Sequence, residues 1–336
     1  MTKTAKQHYV PRTYLQAFCV PGSKKVCVFD KRKREMRENN YEDVASQRFF
    51  YDIKMQEADR ETLVRYLQSW GFKLSDDEEQ PIEKMFAKNI ETRYGELLSI
   101  LRKNVQEYTP YFDFNCRMLR PSEKIEFSLM LAYQFIRTSS KREDFLQMSD
   151  CLTQVLQDIG ASPETIEEYS LDKERAKELH VGMLVDFDKL REMAALFHRL
   201  HWTLCVNKTE HTLWTSDSPI VTIPHVHDPI LSMSGLACPG IEVALPISPD
   251  AVLVMYDDEY HKLTTPDLSY FRIDNPEIVK YYNSAQIRAA SRTVISADGD
   301  FSLVDEVVKR SPGILNGPNV ETRYGGKTYF PRSAPK

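Results

Sequence analysis

The spacing of apolar residues changes twice along the chain and divides it into three parts. Near the N-terminus apolar positions occur in short runs such as Lys25–Asp30, which predicts a strand that ends in a turn at Lys31-Arg32-Lys33-Arg34. From about Asp59 they recur every three or four residues, which predicts helices. From His201 the strand-like alternation returns. The sequence therefore predicts an α+β protein whose central helical bundle lies between two β-rich segments.

Together with a distinct composition after residue 310, these changes give four predicted segments. Residues 1–58 are predicted to hold a motif-rich opening and a small β element, and residues 59–200 a bundle of five or six helices. Residues 201–310 are predicted to form an antiparallel β region with one packing helix near 277–289. Residues 311–336 are rich in Gly and Pro, and we expect an irregular tail there.

Composition limits the class of protein. The chain has 336 residues, with 42% hydrophobic and 28% charged residues, so it can bury a sizeable core. Its formal net charge of -5 excludes a generally basic coat for nucleic acid, which leaves only a local basic patch for such a partner. The six cysteines form no C-x-x-C pair, as is typical of reduced thiols in the cytoplasm. We find neither a signal core nor an apolar run of about 18 residues, and so expect a cytoplasmic protein without a membrane partner.

Motifs for common cofactors are absent from the sequence. It has no G-x-G-x-x-G, no complete phosphate-binding loop and no G-x-S-x-G, so we expect no cofactor. The run His225-Val226-His227-Asp228 would place two imidazoles on one side of an extended backbone. Because no further ligand is obvious nearby, we expect a polar loop there and no metal, with a metal site as the alternative.

Three other places carry candidate chemistry. The opening contains His8, which can transfer protons near neutral pH, and Arg12, whose planar fork of donors matches phosphate. The alternative is a structural plug held by its aromatic residues. Gln134 and Arg137 share one face of an apolar helix, and a buried Arg137 would need a partner such as Asp217 or Glu126. The alternative there is a structural ion pair.

The third place is the turn Trp214-Thr215-Ser216-Asp217-Ser218-Pro219. A strand runs into Ser-Asp-Ser-Pro, where Pro219 ends ladder pairing and presents Asp217 at the strand end. Ends of strands carry function more often than their middles. A purely structural turn is the alternative. We predict that His8, Arg12, Gln134, Arg137 and Asp217 converge in one polar pocket, since each is a costly polar group in apolar surroundings.

The same places carry a resemblance to a known family. The chain resembles the bacterial family called domain of unknown function 4238 in an opening of the form Gln-His-Tyr-Val-Pro, a Gln-x-x-Arg-Thr helix, a Ser-Asp-x-Pro turn and a Pro-x-Ser-Pro strand. The matching positions are 7–15, 50–53, 134–138, 202, 216–219 and 246–249. Ser139 and Ser218 depart from the Pro and Asn that are common in the family. The resemblance implies no activity, and only a loose association with bacterial phage-defence or mobile-element genes.

Two functions of different classes follow as expectations. The first is a metal-independent phosphodiesterase or RNase of a defence or toxin type, with RNA or another nucleic acid as its partner. In it His8 is the general acid/base, Arg12 and Arg137 clamp the phosphate, and Asp217 orients His8 or Arg137. Gln134 and Ser216 would hold the substrate, and a base would stack on Tyr9 and Tyr51.

The alternative function is a non-catalytic ligand-binding or sensing module, whose polar network is structural. A metal-dependent hydrolase that uses His225, His227 and Asp228 is a third possibility.

Overall fold

The computed structural model describes residues 3–228 and 230–332, apart from the side chain of Phe114. The N-terminal part is a set of short strands and one helical turn, as the short apolar runs predict. Its elements are β1 (Lys6–His8), α1 (Arg12–Leu15), β2 (Lys25–Asp30), β3 (Glu35–Asn40) and β4 (Ser46–Arg48). The strand β1 pairs antiparallel with β4, which fixes the opening of the chain.

The middle of the chain forms the predicted bundle, with nine helices in residues 57–199 where five or six were expected. Its helices are α2 (Glu57–Ser69), α3 (Pro81–Met85), α4 (Glu91–Gln106), α5 (Phe112–Asn115), α6 (Pro121–Ile136), α7 (Ser139–Asp158), α8 (Pro163–Tyr169), α9 (Lys173–Val185) and α10 (Phe187–Arg199). A π-helical turn, Phe86–Ile90, joins α3 to α4. Proline stands at the first helical position of α3, α6 and α8, where its missing N–H costs nothing.

The last part alternates strands with short helices. Its elements are β5 (His201–Asn207), β6 (Thr215–Ser216), β7 (Val221–Pro224), β8 (Ile241–Ser248), β9 (Ala251–Tyr256), α11 (Asp258–His261), β10 (Ser269–Ile273), α12 (Pro276–Ala289), β11 (Thr293–Ser296), α13 (Ser302–Arg310), β12 (Thr322–Tyr324) and β13 (Lys327–Tyr329). The α+β class is thereby confirmed, and α12 is the packing helix expected near 277–289.

Five strands form the main sheet, in the order β10-β5-β9-β8-β7. Its pairs are antiparallel except that the edge strand β10 runs parallel to β5, which the sequence analysis did not anticipate. Parallel neighbours need a long crossover, and the strands and loops between β5 and β10 provide it. Every residue of β5 is buried, so this strand lies within the core.

A second sheet joins the two ends of the chain. Its order is β3-β2-β11-β6, and Val28 of β2 faces Ile295 of β11. The N-terminal β element and the late β region therefore share one sheet. The tail expected to be irregular contains a 3-10 turn, Pro312–Asn316, and the hairpin β12–β13. That hairpin is ordered because Tyr329 packs against α7 and its hydroxyl donates to Asp158 at 2.8 Å.

Within residues 3–228 and 230–332, no helix is long and apolar enough to cross a membrane. All six cysteines lie in these ranges, and each of them is a free thiol.

Candidate functional site

Arg137, at the C-terminal end of α6, holds the opening of the chain in place. Its Nη2 donates to the His8 carbonyl at 2.6 Å and lies 2.7 Å from the Glu91 carboxylate. Its Nε donates to the Tyr51 hydroxyl at 3.0 Å, and Tyr51 in turn donates to the His8 carbonyl. The guanidinium is 2% exposed and lies over the Phe86 ring. The buried charge is therefore balanced within the fold.

The partner of Arg137 differs from the two that the sequence suggested. Glu91, at the first position of α4, forms the ion pair. Glu126 pairs instead with Arg93, 2.5 Å away on the same side of the bundle. Asp217 binds backbone amides elsewhere. The sequence could not indicate Glu91, because it lies 46 positions from Arg137 and nothing local selects a partner across two helices.

His8 and Arg12 lie nearer the surface. The His8 imidazole is half-buried, and its Nε2 lies 3.0 Å from the Glu42 carbonyl. Burial, opposed by that hydrogen bond and aided by the nearby charge of Arg12, lowers the pKa of His8. Arg12 itself is exposed, whereas Arg137 is buried. The structure thus brings His8 and Arg137 together through the backbone of His8 and not through its imidazole.

Asp217 closes a second network, at the ends of β6 and β11. Its Oδ1 accepts from the Ser291 amide at 2.9 Å, and its Oδ2 accepts from the Arg292 and Thr293 amides, each at 2.8 Å. The side chain is 1% exposed. Burial raises the pKa of Asp217, and the backbone donors oppose that shift. These hydrogen bonds link the end of β6 to the start of β11.

Ser216 and Tyr9 extend this network. The Ser216 hydroxyl is fully buried and lies 2.7 Å from Oε1 of Gln286. The Tyr9 hydroxyl bonds with Ser139 and lies close enough to Asp217 for the carboxylate to raise the pKa of Tyr9, after burial as the main cause. Tyr9 thus connects the network of Asp217 with the start of α7.

Beside both networks lies a cleft of ≈ 720 Å³, bounded by β7, α12 and the junction of α6 with α7. Gln134 and Ser218 both line it, and both are more than nine-tenths buried. Gln134 donates through Nε2 to the Tyr9 carbonyl at 3.2 Å, which fixes the orientation of its amide. Its Oε1 and the Ser218 hydroxyl have no hydrogen-bond partner within residues 3–228 and 230–332. Native proteins rarely leave such groups unpaired.

The charges around the cleft are unevenly paired. Lys141 binds Asp144 at 3.0 Å, and Lys280 binds Glu277 at 2.8 Å, both within one helix. Arg288, on the rim, donates to the Ser311 hydroxyl over a long 3.4 Å. Arg310 also lines the cleft and is exposed.

A cluster around Glu242, a residue that the sequence patterns did not single out, lies at the Tyr281 end of this cleft. Tyr281, which lines the cleft, donates to Oε2 of Glu242 at 3.2 Å, and the same oxygen lies 2.7 Å from Nε2 of His225. The His261 ring stands edge-on to that of His225, with 4.9 Å between centroids. The sequence signal was a glutamate inside the apolar strand β8, opposite β7.

The other members of the predicted metal alternative lie apart from this cluster. His227 is exposed, and Asp228 accepts from the Ile230 and Leu231 amides at 2.7 Å, as in a polar loop. Across residues 3–228 and 230–332, no group of three or more His, Cys, Asp or Glu side chains is arranged to hold a metal ion.

Fold and site together define an α+β protein with a deep cleft between a sheet and two helical segments. The family described as "Protein of unknown function (DUF4238)" matches residues 6–300. The chain belongs to this family, as its motifs indicate. No curated protein and no solved structure matches the chain.

Proposed function

We propose that the protein binds a small organic anion in the cleft between β7, α12 and the α6–α7 junction. The observation that carries this proposal is the pair of buried, unpartnered atoms in its wall, Oε1 of Gln134 and the hydroxyl of Ser218. Each such group costs about 1–3 kcal/mol while it lacks a partner. A ligand with a hydrogen-bond donor for Gln134 and a polar atom for Ser218 removes that cost.

The charge on the ligand follows from the rim. Arg288 and Arg310 line the cleft without a carboxylate partner among the ion pairs of residues 3–228 and 230–332, and they outnumber the one unpaired carboxylate that lines it in those ranges, Glu306. A guanidinium binds carboxylate or phosphate through two parallel hydrogen bonds. The ligand therefore combines a donor group at the buried wall with an anionic group at the rim.

In this proposal the motif residues position the cleft. Arg137 lies one helical turn beyond Gln134, and Asp217 directly precedes Ser218. Fixing Arg137 and Asp217 fixes the two unpartnered groups, because neighbours on a helix or a tight turn move together. This is the ligand-binding alternative of the sequence analysis, with its structural network.

A thermal-shift screen with dicarboxylates and nucleoside monophosphates tests the proposal. We expect at least one compound to raise the melting temperature, since a ligand at 100 times its Kd stabilises by about 2.7 kcal/mol. Arg288→Ala and Ser218→Ala should each raise the apparent Kd at least tenfold and so reduce the thermal shift at a given ligand concentration. Arg272→Ala, which removes an exposed pair with Asp274, is the matched control. No shift with any compound, or equal shifts in all variants, contradicts the proposal.

The phosphodiesterase expected from the sequence is the second candidate. The observation in its favour is that Arg12 is exposed and its charge acts on the half-buried His8 imidazole. We expect cleavage of RNA by the wild-type protein and its loss in both His8→Ala and Arg12→Ala, without a change in melting temperature. Equal cleavage, or none, by wild type and variants removes this candidate.

A further inference from the structure

The carboxylate of Glu242 is buried without a lysine or arginine partner in residues 3–228 and 230–332. Its side chain is 5% exposed, and its Oε2 binds only His225 and Tyr281. Burial of an unpaired carboxylate costs several kcal/mol, so Glu242 lowers the stability of the fold unless it is paired. Burial and Glu242 raise the pKa of Tyr281, so the tyrosine stays protonated and donates.

Hydrogen bonding in this cluster is incomplete, unlike the networks of Arg137 and Asp217. Oε1 of Glu242 and Nε2 of His261 are both buried and have no partner within the described ranges. Burial and the charge of His225 lower the pKa of His261, and its other ring nitrogen donates to the Gly240 backbone, so the free Nε2 is an acceptor. A purely structural network would be expected to satisfy such atoms.

The His225 imidazole is held in one tautomer and remains accessible. Because the Glu242 oxygen only accepts, Nε2 of His225 carries the proton and Nδ1 is the basic nitrogen. The side chain is 34% exposed, and no residue of 3–228 or 230–332 forms a hydrogen bond with Nδ1. His225 directly follows Pro224, which lines the cleft, and its backbone amide is fixed by the Gly240 carbonyl at 3.1 Å.

The backbone around this cluster is tightly constrained. Gly240 has a φ of +70°, and a Cβ there would lie 2.8 Å from Cγ2 of Val226. Only glycine fits this close approach of the β8 start to the loop that carries His225. Glycine thus allows this close approach without backbone strain at the point that positions His225 beside Glu242.

We infer that His225 is the general base of a hydrolytic site at the Tyr281 end of the cleft, with Glu242 as its positioning residue. Nδ1 of His225 takes a proton from water as the water oxygen bonds to an acyl carbon of the substrate. The bond from that carbon to the leaving oxygen then breaks, and His225 returns the proton to this oxygen. One ester and one water give one carboxylic acid and one alcohol.

The local charge indicates the substrate class. Glu242 and Asp257 lie at this end, and the charge of Glu277 is balanced by Lys280, so a phosphate or another anionic reacting group is disfavoured beside Glu242. Arg288 lies seven residues beyond Tyr281 on α12, about 10 Å along the helix axis. The substrate is thus a carboxylic ester whose neutral acyl carbon is reached by His225 and whose far end carries an anion. This inference rests on the proposed binding of an organic anion.

The 4-nitrophenyl half ester of glutaric acid is a suitable probe, compared with 4-nitrophenyl acetate, which lacks the anion. We expect the wild-type protein to hydrolyse the half ester with the higher kcat/KM. His225→Ala should lower kcat by about 100-fold or more, and free imidazole should restore part of that rate. His227→Ala, an exposed histidine two residues away, should stay within twofold of wild type.

The positioning role of Glu242 has its own readout. Glu242→Gln keeps the size of the side chain, and circular dichroism verifies its fold. We expect a lower kcat with little change in KM, and ¹⁵N spectra should show the tautomer of His225 that is protonated at Nε2 in wild type and a mixture in the variant. A single unchanged tautomer together with an unchanged kcat would overturn this role.

The test separates the two proposals. If His225→Ala abolishes turnover but Arg288→Ala leaves KM for the half ester unchanged, the hydrolytic site stands and the anion site fails. If ligands bind in the cleft but wild type and His225→Ala hydrolyse both esters at the same rate, the hydrolytic site is wrong and the binding proposal stands.

Discussion

The guanidinium of Arg137 donates to the backbone carbonyl of His8 at 2.6 Å, across 129 positions of the sequence. The contact joins the first strand to the end of α6. Because it uses the carbonyl of His8, it places a constraint on the backbone and none on the imidazole. The pairing explains why an arginine at this helix end accompanies the opening motif, without requiring that both side chains meet a substrate.

Removal of Arg137 should destabilise the whole fold. Arg137→Met leaves the Glu91 carboxylate without its cation and the His8 carbonyl with only the Tyr51 hydroxyl as side-chain donor, for which we expect a loss of about 3–5 kcal/mol in the free energy of unfolding. Urea denaturation measures it. Arg93→Met removes partly exposed ion pairs with Glu96 and Glu126 and should cost about 1 kcal/mol or less. Similar losses in the two variants would show that the Arg137 network is not specially stabilising.

Asp217 should be sensitive to loss of a single oxygen. Both oxygens of Asp217 accept from backbone amides. In Asp217→Asn one of these oxygens becomes an NH₂ group, which cannot accept, so at least one backbone N–H loses its partner. We expect a loss of about 2 kcal/mol or more in stability, measured by chemical denaturation. Asp274→Asn, at an exposed carboxylate paired with Arg272, is the control and should be almost neutral. Wild-type stability of Asp217→Asn would contradict the structural role.

Two serines in one turn should respond in opposite ways. Ser216→Ala leaves the buried Gln286 amide oxygen without a partner and should lower the melting temperature. Ser218→Ala removes a hydroxyl that has no partner in the described ranges, so stability should stay the same or rise. Of these two serine variants, the proposed anion site predicts that Ser218→Ala alone weakens ligand binding without a loss of stability. A marked loss of stability in Ser218→Ala would remove this distinction.

His180 should make stability fall in acid. It is fully buried, with Nε2 2.9 Å from the Ile136 carbonyl and Nδ1 3.1 Å from Nη2 of Arg142. Burial, followed by the charge of Arg142, lowers the pKa of His180 to about 3. The unfolded chain binds its proton near pH 6.5. The contribution of His180 is thus complete above pH 6.5 and is lost as the pH falls towards 3, by at most about 1.4 kcal/mol per pH unit.

Urea denaturation between pH 7 and pH 4 measures this slope. His180→Gln should reduce this slope by at most about 1.4 kcal/mol per pH unit, which corresponds to one bound proton, whatever its effect on stability at pH 7. The exposed His227 provides the control, since His227→Gln should leave the slope unchanged. A slope in His180→Gln equal to that of wild type would contradict the assignment.

Much of the fold could be predicted from local patterns. The three-to-four-residue spacing of the bundle follows from burial of one helix face, and the apolar character of β5, β8 and β9 follows from burial of both faces of these strands. The pairing of β2 with β11 could not be predicted, because Val28 and Ile295 are far apart in sequence and nothing local selects a strand partner. The parallel pairing of β10 with β5 could not be predicted for the same reason.

The candidate site was predicted only in part. Of the five residues expected to converge, His8, Gln134 and Arg137 lie together around the backbone of residues 8 and 9, since costly polar residues in apolar surroundings must find partners in the fold. Sequence alone could not tell that backbone carbonyls are those partners. Arg12 is exposed, and Asp217 belongs to the separate network of the Ser291 to Thr293 amides. Glu242 was overlooked, although a glutamate in the strand Ile241–Ser248 carries the same signal of an expensive buried charge.

The most direct test maps which backbone amides respond to the compound that gives the largest thermal shift. Amide chemical-shift changes in a ¹⁵N-labelled sample, followed to saturation, locate the bound anion. We predict the largest changes at Thr138, Ser218 and Ala285, which surround the cleft, and small changes at His8 and Arg12. Changes centred on His8 and Arg12, or none at the cleft residues, would contradict the assignment of the cleft as the binding site.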